Sequence, residues 1–366
     1  MTFFAPSFYP TLMQNVVLAT LFAAFFFAFQ ASAQTPKSTK GEYKVACIGF
    51  YNLENLFDTI DSPETNDADF LPNGKLLWNT EKYVSKQANM AKVISQLGTE
   101  LSPDGLAMLG VAEVENKKVL DDLVSQPALR NRNYQVVLIE GSDERGIDCG
   151  LLYQSKYFKM DGARSVPVVL INPQSGERDF TRDILLVSGK LDGQPVHVMV
   201  CHWPSRRGGE SGSAWARAAA ADRCKALADS IRATNEDARV IVMGDLNDDP
   251  TNKSLTKHLK AAVDIDKVAY DGFFNTMYEH FKVGNGTLAY NDSWNLFDQI
   301  CISKSFMNLQ AKGEWAYFKS VVYRKPYLIE DEGRFKGYPF RTYSYDVFIN
   351  GYSDHLPVYV VLVKRE

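Results

Sequence analysis

The sequence contains 366 residues, of which 45% are hydrophobic and 12% aromatic, and this content can bury a large core in one or two domains. The formal net charge is -4 and the isoelectric point is about 5.8, so no strongly basic tail or surface indicates a nucleic-acid partner. A polyanionic substrate would therefore have to be held locally, by a few arginines or a metal ion. We expect one domain.

The N-terminal region has the pattern of an export signal. Residues 16–29 form an uninterrupted apolar run, and Ala31, Ser32 and Ala33 follow it closely. The run is shorter than the roughly 20 residues of a membrane-spanning helix, and small residues of this kind are typical of a cleavage site. We predict a signal peptide over residues 1–33, cleavage near Ala33, a linker over 34–42, and a periplasmic or extracellular protein without stable membrane insertion. A buried N-terminal helix is the alternative, because no Lys or Arg precedes Lys37.

Apolar runs and helical patterns alternate along the remaining chain. Helices are predicted at about 80–97, 116–125 and 213–233, the first capped by Asn79 or Thr80. Strands are predicted at 44–51, 106–111, 134–139, 149–153, 184–191, 196–201, 240–243, 297–302 and in the C-terminal LPVYVVLV. Because several strands follow one another directly, the order favours an α/β fold with mixed, largely antiparallel sheets. The five cysteines are widely spaced without a CxxC pair, so we expect buried thiols.

Polar side chains stand repeatedly at the ends of the apolar runs. The densest case is VIVMGDLNDDP at 240–250, where Gly244 ends the run and frees the backbone to turn. Carboxylates crowded at a strand end repel one another unless a cation or a proton separates them, so this stretch predicts a site for a hard metal ion that activates water. An ordinary polar turn is the alternative. Residues in the same position elsewhere are Asn52, Glu113, His202, Asp298, Asp354 and His355, and they would converge if these strand ends share one rim.

Six segments carry a resemblance to a known family. YNLEN, GVAEVEN, HWPSRRGG, GDLNDDP, FDQICIS and SDHLPV occur in this order and resemble the successive motifs of the endonuclease/exonuclease/phosphatase superfamily, in its deoxyribonuclease-like branch. The resemblance covers residues 43–365. It implies an α/β fold of four layers, in which two packed mixed β-sheets are flanked by helices.

The resemblance also implies a metal site and a nucleophile site. Glu113 matches the family's metal-binding glutamate, and Asn52 and Asp354 match residues near the same ion or the substrate. A site with oxygen ligands suits Mg²⁺, which Mn²⁺ could replace. Asp245 matches the residue that orients or deprotonates the attacking water, and Asn247 the one that contacts the phosphate or that water. A carboxylate at a helix N-terminus is the alternative for Glu113.

Two histidines complete the implied catalytic set. His355 matches the histidine of the SDH motif, and Asp298 the aspartate that hydrogen-bonds to it and raises its pKa. His202 resembles the second histidine of the deoxyribonuclease-like branch, which an acidic residue orients, and Asp148 occupies the comparable place. The sequence leaves open whether Asp245 or His355 is the base, and His355 could also be a buried structural histidine.

Three arginines are candidates for binding the phosphate. Arg182 resembles the phosphate-contacting arginine of the deoxyribonuclease-like branch, although Arg182 and Asp148 could equally have surface or capping roles. Arg206 and Arg207 lie beside two glycines near His202, and guanidinium groups match phosphate oxygens at two points. A solvated basic loop is the alternative for this pair.

Together these features predict a secreted, metal-dependent phosphodiesterase, a nuclease that hydrolyses DNA or RNA by in-line attack of water. Its partner would be a phosphoester substrate, for which nucleic acid is the main prediction. We expect a monomer. The alternatives are a phosphomonoesterase or phospholipase C-type hydrolase of a lipid or inositol phosphate, and a binding module without catalytic activity.

Overall fold

The computed structural model describes residues 43–366 of the chain. The predicted signal peptide, residues 1–33, and the predicted linker, residues 34–42, lie outside the described residues. The first strand begins at Tyr43 and the last strand ends at Arg365. Within residues 43–366, no helix is both long enough and apolar enough to cross a membrane.

Two large sheets form the centre of the fold, one with six strands and one with seven. Their strands in chain order are β1 (Tyr43–Leu56), β2 (Leu106–Val114), β3 (Tyr134–Leu138), β4 (Asp148–Gln154), β5 (Phe158–Val166), β6 (Ile184–Leu191), β7 (Gln194–His202), β8 (Arg239–Asp245), β9 (Ala261–Ala262), β10 (Phe273–Asn275), β11 (Asp298–Ser303), β12 (Trp315–Val322) and β13 (Val358–Arg365). The spatial order is β12-β13-β1-β2-β4-β3 in the first sheet and β9-β10-β11-β8-β7-β6-β5 in the second.

The pairing of the strands is mixed. β1 runs parallel to β2, β7 to β8 and β9 to β10, and the other neighbouring strands in the two sheets are antiparallel. The two longer parallel pairs lie at the centre of their sheets, and a helical segment connects the strands of each pair. The prediction of mixed, largely antiparallel sheets is therefore confirmed.

Four α-helices and several short elements complete the structure. The helices are α1 (Thr80–Ile94), α2 (Lys117–Val124), α3 (Glu210–Arg232) and α4 (Tyr278–Lys282). Single helical turns lie at Ala68–Phe70, Arg130–Arg132, Ser254–His258, Ile265–Lys267, Lys304–Phe306 and Pro326–Leu328. Short hairpins pair Leu170–Ile171 with Arg178–Asp179, Leu288–Tyr290 with Ser293–Asn295, and Tyr343–Ser344 with Val347–Phe348. α1 begins where predicted, because the Asn79 side chain accepts a hydrogen bond from the Lys82 backbone N–H at 3.0 Å.

The sheets pack face to face with helices on both outer sides. Gly110 of β2 lies so close to the second sheet that a Cβ there would be 2.6 Å from the Met243 sulfur. α1 and α2 contribute buried side chains to the same apolar cluster as the first sheet, whereas α3 packs its alanines against the outer face of the second. The predicted four-layer α/β sandwich is thus confirmed. All five cysteines are buried and free, as predicted.

Two strands extend further than their apolar runs. β1 continues past Tyr51 through the polar segment to Leu56, and β8 continues through Gly244 to Asp245. The expectation that Gly244 frees the backbone to turn is wrong. A Cβ at this position would collide with the carbonyl oxygen of Cys201 on β7, so glycine permits a close approach of two neighbouring strands.

Candidate active site

Glu113 is placed by an irregularity in β2. The pairing of β2 with β4 shifts register between Ala112 and Val114, and Glu113 itself has a φ of 61°. A bulge of this kind breaks the alternation of side chains and redirects one of them. The Glu113 carboxylate accepts a hydrogen bond from the Asn55 backbone N–H at 2.9 Å, which fixes it at the end of β1.

Asn52 of β1 connects carboxylates from the two sheets. Its Oδ1 accepts a hydrogen bond from the Glu54 backbone N–H at 2.9 Å, so its NH₂ group faces the opposite way. That NH₂ group lies 3.3 Å from Glu113 Oε1 and 3.2 Å from Asp245 Oδ2. One fully buried amide therefore holds both carboxylates at a fixed spacing.

Three neighbouring strands of the second sheet end at the same rim. Asp245 on β8 stands directly opposite His202 on β7 and opposite Asp298 on β11. Asn247 follows with a φ of 51°, and its backbone N–H donates to Asp245 Oδ1 at 3.0 Å. Its side-chain NH₂ donates to the Trp203 carbonyl at 3.0 Å. Asp245 and Asn247 are therefore positioned by their neighbours before any substrate binds.

His355 and Asp298 form a buried pair. The Nδ1 atom of His355 lies 2.7 Å from Asp298 Oδ2, and its Nε2 lies 3.7 Å from Asp245 Oδ2 and 4.0 Å from Asp354 Oδ1. Burial lowers the pKa of His355, but the carboxylates of Asp298 and Asp245 outweigh burial and hold this pKa well above its usual value. His355 is therefore an imidazolium at neutral pH, with Nε2 directed at the other carboxylates.

The surroundings of Asp245 disfavour the charged form of its carboxylate. Burial, together with the Asp298 and Glu113 carboxylates, raises its pKa to about 7 against the opposing effect of His355. Two converging carboxylates with only an amide between them favour a cation or a proton at this point. Glu113 and Asp245 thus offer hard oxygen donors that suit a divalent ion, although residues 43–366 contain no cluster of three or more His, Cys, Asp or Glu arranged to hold one.

His202 has the opposite electrostatic character to His355. Its Nε2 lies 3.6 Å from Asp245 Oδ2 and 3.8 Å from Glu113 Oε1. Burial lowers its pKa well below the usual value, and Arg182 and Arg145 lower it further, so the ring is neutral at pH 7. The predicted pairing with Asp148 is not formed, because His202 Nδ1 has no hydrogen-bond partner and Asp148 accepts from the Gly141 backbone N–H at 2.9 Å.

A cavity of about 560 Å³ opens over these residues. Glu113, His202, Asp245, Asn247 and His355 line it. Three arginines share the same cavity, namely Arg145, Arg182 and Arg207. The cavity therefore presents carboxylates and imidazoles beside cationic groups, which is the arrangement that an anionic substrate with a bound cation requires.

The family model described as Endonuclease/Exonuclease/phosphatase family matches residues 47–364. The chain belongs to this family of phosphoester hydrolases. Three solved structures with this fold are similar to it. An endonuclease/exonuclease/phosphatase family protein from Bacteroides thetaiotaomicron is 14% identical, with 88% of this chain and 96% of that chain covered and a TM-score of 0.51. A mannosyl-6-phosphatase from the same organism is 15% identical (87% and 99% covered, TM-score 0.48), and D. rerio TDP2 complexed with single strand DNA product is 16% identical (87% and 99% covered, TM-score 0.48). Comparison with curated proteins gives no match.

Within this family fold, the predicted phosphate-binding residue Arg206 forms its contacts with the loop after β8. Its guanidinium donates to the Asn247 carbonyl at 3.0 Å and contacts Asp248 at 3.2 Å and Asp249 at 3.4 Å. It also stacks over the Phe297 ring at 4.5 Å. These contacts join the Arg206 side chain to three successive residues of the loop after β8, so Arg206 stabilises this loop. Arg207, by contrast, lines the cavity.

Asn52 and Asp354, the other two residues predicted near the metal ion, form hydrogen bonds within the protein. The oxygen of Asn52 accepts a backbone hydrogen bond, so Asn52 faces the site with its NH₂ group, which contacts the carboxylates of Glu113 and Asp245. Asp354 Oδ2 accepts from Arg341 at 3.1 Å, which leaves Oδ1 directed toward His355.

Arg182, a predicted phosphate contact, bonds to Asp143 at 3.2 Å and to the Trp203 carbonyl at 2.7 Å, and these contacts hold the guanidinium at the cavity wall.

Two site residues lay outside the predicted set. Arg145 lines the cavity from the loop before β4, and Glu54 lies beside the site with a φ of 52°. Glu54 accepts from the Thr342 backbone N–H at 2.8 Å and lies 3.4 Å from buried Lys86. The sequence could have indicated Glu54, because it lies in YNLEN two residues after Asn52. Arg145 lies in a polar loop without a distinctive pattern.

Proposed function

We propose that this protein is a metal-dependent phosphodiesterase, and specifically a nuclease that hydrolyses DNA or RNA. The observation that carries the proposal is the buried Asp298–His355 pair, whose Nε2 lies 3.7 Å from the Asp245 carboxylate inside a cavity with three arginines. Such an arrangement can hold a phosphodiester, align a water and stabilise developing negative charge.

Asp245 is the proposed base. Its carboxylate is directed by the Asn247 backbone N–H, and a pKa raised by burial to about 7 makes it a stronger proton acceptor than an exposed aspartate. His355 stays protonated because Asp298 accepts from its Nδ1. The imidazolium is therefore proposed to donate a hydrogen bond to a phosphate oxygen as charge builds up, and the role of base is assigned to Asp245.

His202 is proposed to serve the leaving oxygen. It is buried at the cavity with Nε2 near both carboxylates, so a proton carried on Nε2 can form a hydrogen bond to the leaving oxygen as negative charge develops there. Asp148 cannot orient it directly in the observed geometry. Asp148 is instead proposed to order the loop that carries Arg145, through its bond to Gly141.

Glu113 is the proposed metal ligand. Asp245, which shares the Asn52 amide with Glu113, and Asp354 are proposed to act through bound water. Mg²⁺ is the proposed ion, because it prefers oxygen donors, keeps several waters and needs few protein ligands, and Mn²⁺ is its substitute. When bound, such an ion withdraws negative charge from the phosphate oxygens. Arg207 and Arg182 are proposed to contact the phosphate from the other wall of the cavity.

Export is part of the proposal. The apolar run at 16–29 followed by Ala31, Ser32 and Ala33 supports cleavage near Ala33 and a periplasmic or extracellular enzyme. Sequencing the N-terminus of the protein recovered from outside the cytoplasm tests this point. A chain that stays in the cytoplasm with its N-terminus intact would contradict it.

Hydrolysis assays test the catalytic proposal. The purified protein is incubated with Mg²⁺ or with EDTA and offered plasmid DNA, RNA, bis(p-nitrophenyl) phosphate, p-nitrophenyl phosphate and sphingomyelin. We expect Mg²⁺-dependent cleavage of nucleic acid and of the diester, and its loss in Asp245→Asn and His355→Ala. Hydrolysis restricted to the monoester or to sphingomyelin would favour the alternative hydrolases, and binding without cleavage would favour a binding module.

A further inference from the structure

A second cavity adjoins the catalytic one on the side of Asp354. It has a volume of about 300 Å³, and its lining includes Glu54, Asn55, Phe335, Arg341, Tyr345 and Asp354. Two contacts join it to the catalytic cavity. Asp354 Oδ1 lies 4.0 Å from His355 Nε2, and the Asn55 backbone N–H donates to Glu113 at 2.9 Å. A group attached to a phosphate at His355 can therefore reach into this second cavity, which we name the aromatic cavity.

Tyr345 is the most unusual residue of the aromatic cavity. It occupies the first position of the two-residue turn between Ser344 and Val347, where it has a φ of 54°. Bulky residues rarely adopt this conformation, and hairpin turns of this length favour glycine or asparagine at such a position. The residue is also 78% exposed, so burial in the core does not explain a tyrosine here. Local strain that folding does not require is a feature of ligand-binding positions.

The neighbouring groups give the aromatic cavity a defined chemistry. The Phe335 ring lies 5.6 Å from the Tyr345 ring at an angle of 49°, so two aromatic faces border the opening. Arg341 bonds to Asp354 at 3.1 Å, and Glu54 bonds to Thr342. Two carboxylates against one arginine leave no surplus positive charge for a second phosphate. The cavity therefore fits an uncharged planar ring.

We propose that the aromatic cavity binds the nucleobase attached to the scissile phosphate, with Tyr345 and Phe335 as its stacking surface. This inference rests on the proposed phosphodiesterase function and names its substrate as a nucleotide ester. A volume of about 300 Å³ accommodates one base, and stacking on aromatic rings accepts any base because each has a π-face. The site thus selects nucleotide esters over simple phosphodiesters without reading sequence.

The test compares two diesters that release the same leaving group. The p-nitrophenyl ester of thymidine 5′-phosphate carries a base, and methyl p-nitrophenyl phosphate does not. In Tyr345→Gly we expect KM for the thymidine ester to rise roughly fivefold or more, which is the effect of losing one base–aromatic stack, while KM for the methyl ester stays unchanged. Tyr345→Gly also removes the backbone strain, so its melting temperature should equal or exceed that of the wild type.

Two controls make the test specific. Tyr345→Phe keeps a ring and should keep the low KM, and Tyr290→Gly alters another tyrosine beside a hairpin turn, 69% exposed, without changing either KM. If Tyr345→Gly has the same KM as the wild type for each of the two esters, the inference is overturned and the proposed function stays intact. The p-nitrophenyl ester of 2-deoxyribose 5-phosphate separates the sugar from the base, and a Tyr345 effect retained on it would also overturn base binding.

Failure of the proposed function gives a different result. If the wild type hydrolyses neither ester, calorimetric titration with thymidine 5′-phosphate decides the inference independently. Binding that is roughly fivefold weaker or more in Tyr345→Gly would uphold the aromatic cavity as a nucleobase site on a protein without this activity. No difference between the two proteins in that titration would reject it.

Discussion

The substitution Asp298→Asn isolates the charge that keeps His355 protonated. Asparagine has the same shape as aspartate and can still accept a hydrogen bond from Nδ1, so the ring orientation is preserved. The lost interaction is a charged hydrogen bond of 2.7 Å between two buried groups. Bonds of this kind contribute about 1.5–3 kcal/mol, which corresponds to a decrease in kcat of roughly 10- to 100-fold if the imidazolium acts in the transition state.

The assay is Mg²⁺-dependent hydrolysis of bis(p-nitrophenyl) phosphate across a range of pH. KM should change little, because Asp298 lies behind His355 and does not line the cavity. Asp222→Asn provides a matched control, since Asp222 forms an exposed pair with His258 at 3.0 Å outside the catalytic cavity. Asp298→Asn with a kcat within about twofold of both the wild type and this control would refute the reasoning.

Three further predictions concern the charges around the site. Arg206→Ala should lower the melting temperature by a few degrees because it removes the bonds that order the loop after β8, whereas Arg207→Ala should leave the melting temperature unchanged and raise KM; the reverse pattern would contradict both assignments. Glu113→Gln should raise the Mg²⁺ concentration for half-maximal activity by at least about tenfold, measured by metal titration, and an unchanged value would place the ion elsewhere. In NMR titrations of metal-free protein, the pKa of His355 should lie above the usual histidine value, because the Asp298 carboxylate outweighs the lowering effect of burial, and Asp298→Asn should move the titration to lower pH; an upward shift would have the wrong sign.

The positions of residues at strand ends could be predicted from the sequence. Asp245 and His202 each follow an apolar run and Asp298 begins one, and such runs form adjacent strands whose ends meet at one rim. The resemblance to the family supplied the pairing of Asp298 with His355. Both inferences depend on local pattern or on motif order, which the sequence carries directly.

Backbone conformation and long side chains could not be predicted in the same way. The φ of 61° at Glu113 arises from a bulge that contacts with the neighbouring strands impose, and no residue type in GVAEVEN requires it. Arg206 stands beside Arg207 in the sequence, yet its side chain reaches Asp248 and Asp249 forty residues later. The fate of such a side chain depends on which carboxylates the fold brings within its reach.

The placement of the proposed catalytic carboxylates has a consequence for the interior of the protein. Glu113 belongs to one sheet and Asp245 to the other, so the distance between them depends on how the two sheets are seated against each other. That seating is set in part by the tight contact of Gly110 with Met243, among apolar side chains. A methyl group added at Gly110 would press on Met243 and Val200 of the second sheet. Any shift of one sheet that relieves this contact would change the spacing of the carboxylates, so a substitution in the apolar interior would lower activity without touching a reactive group.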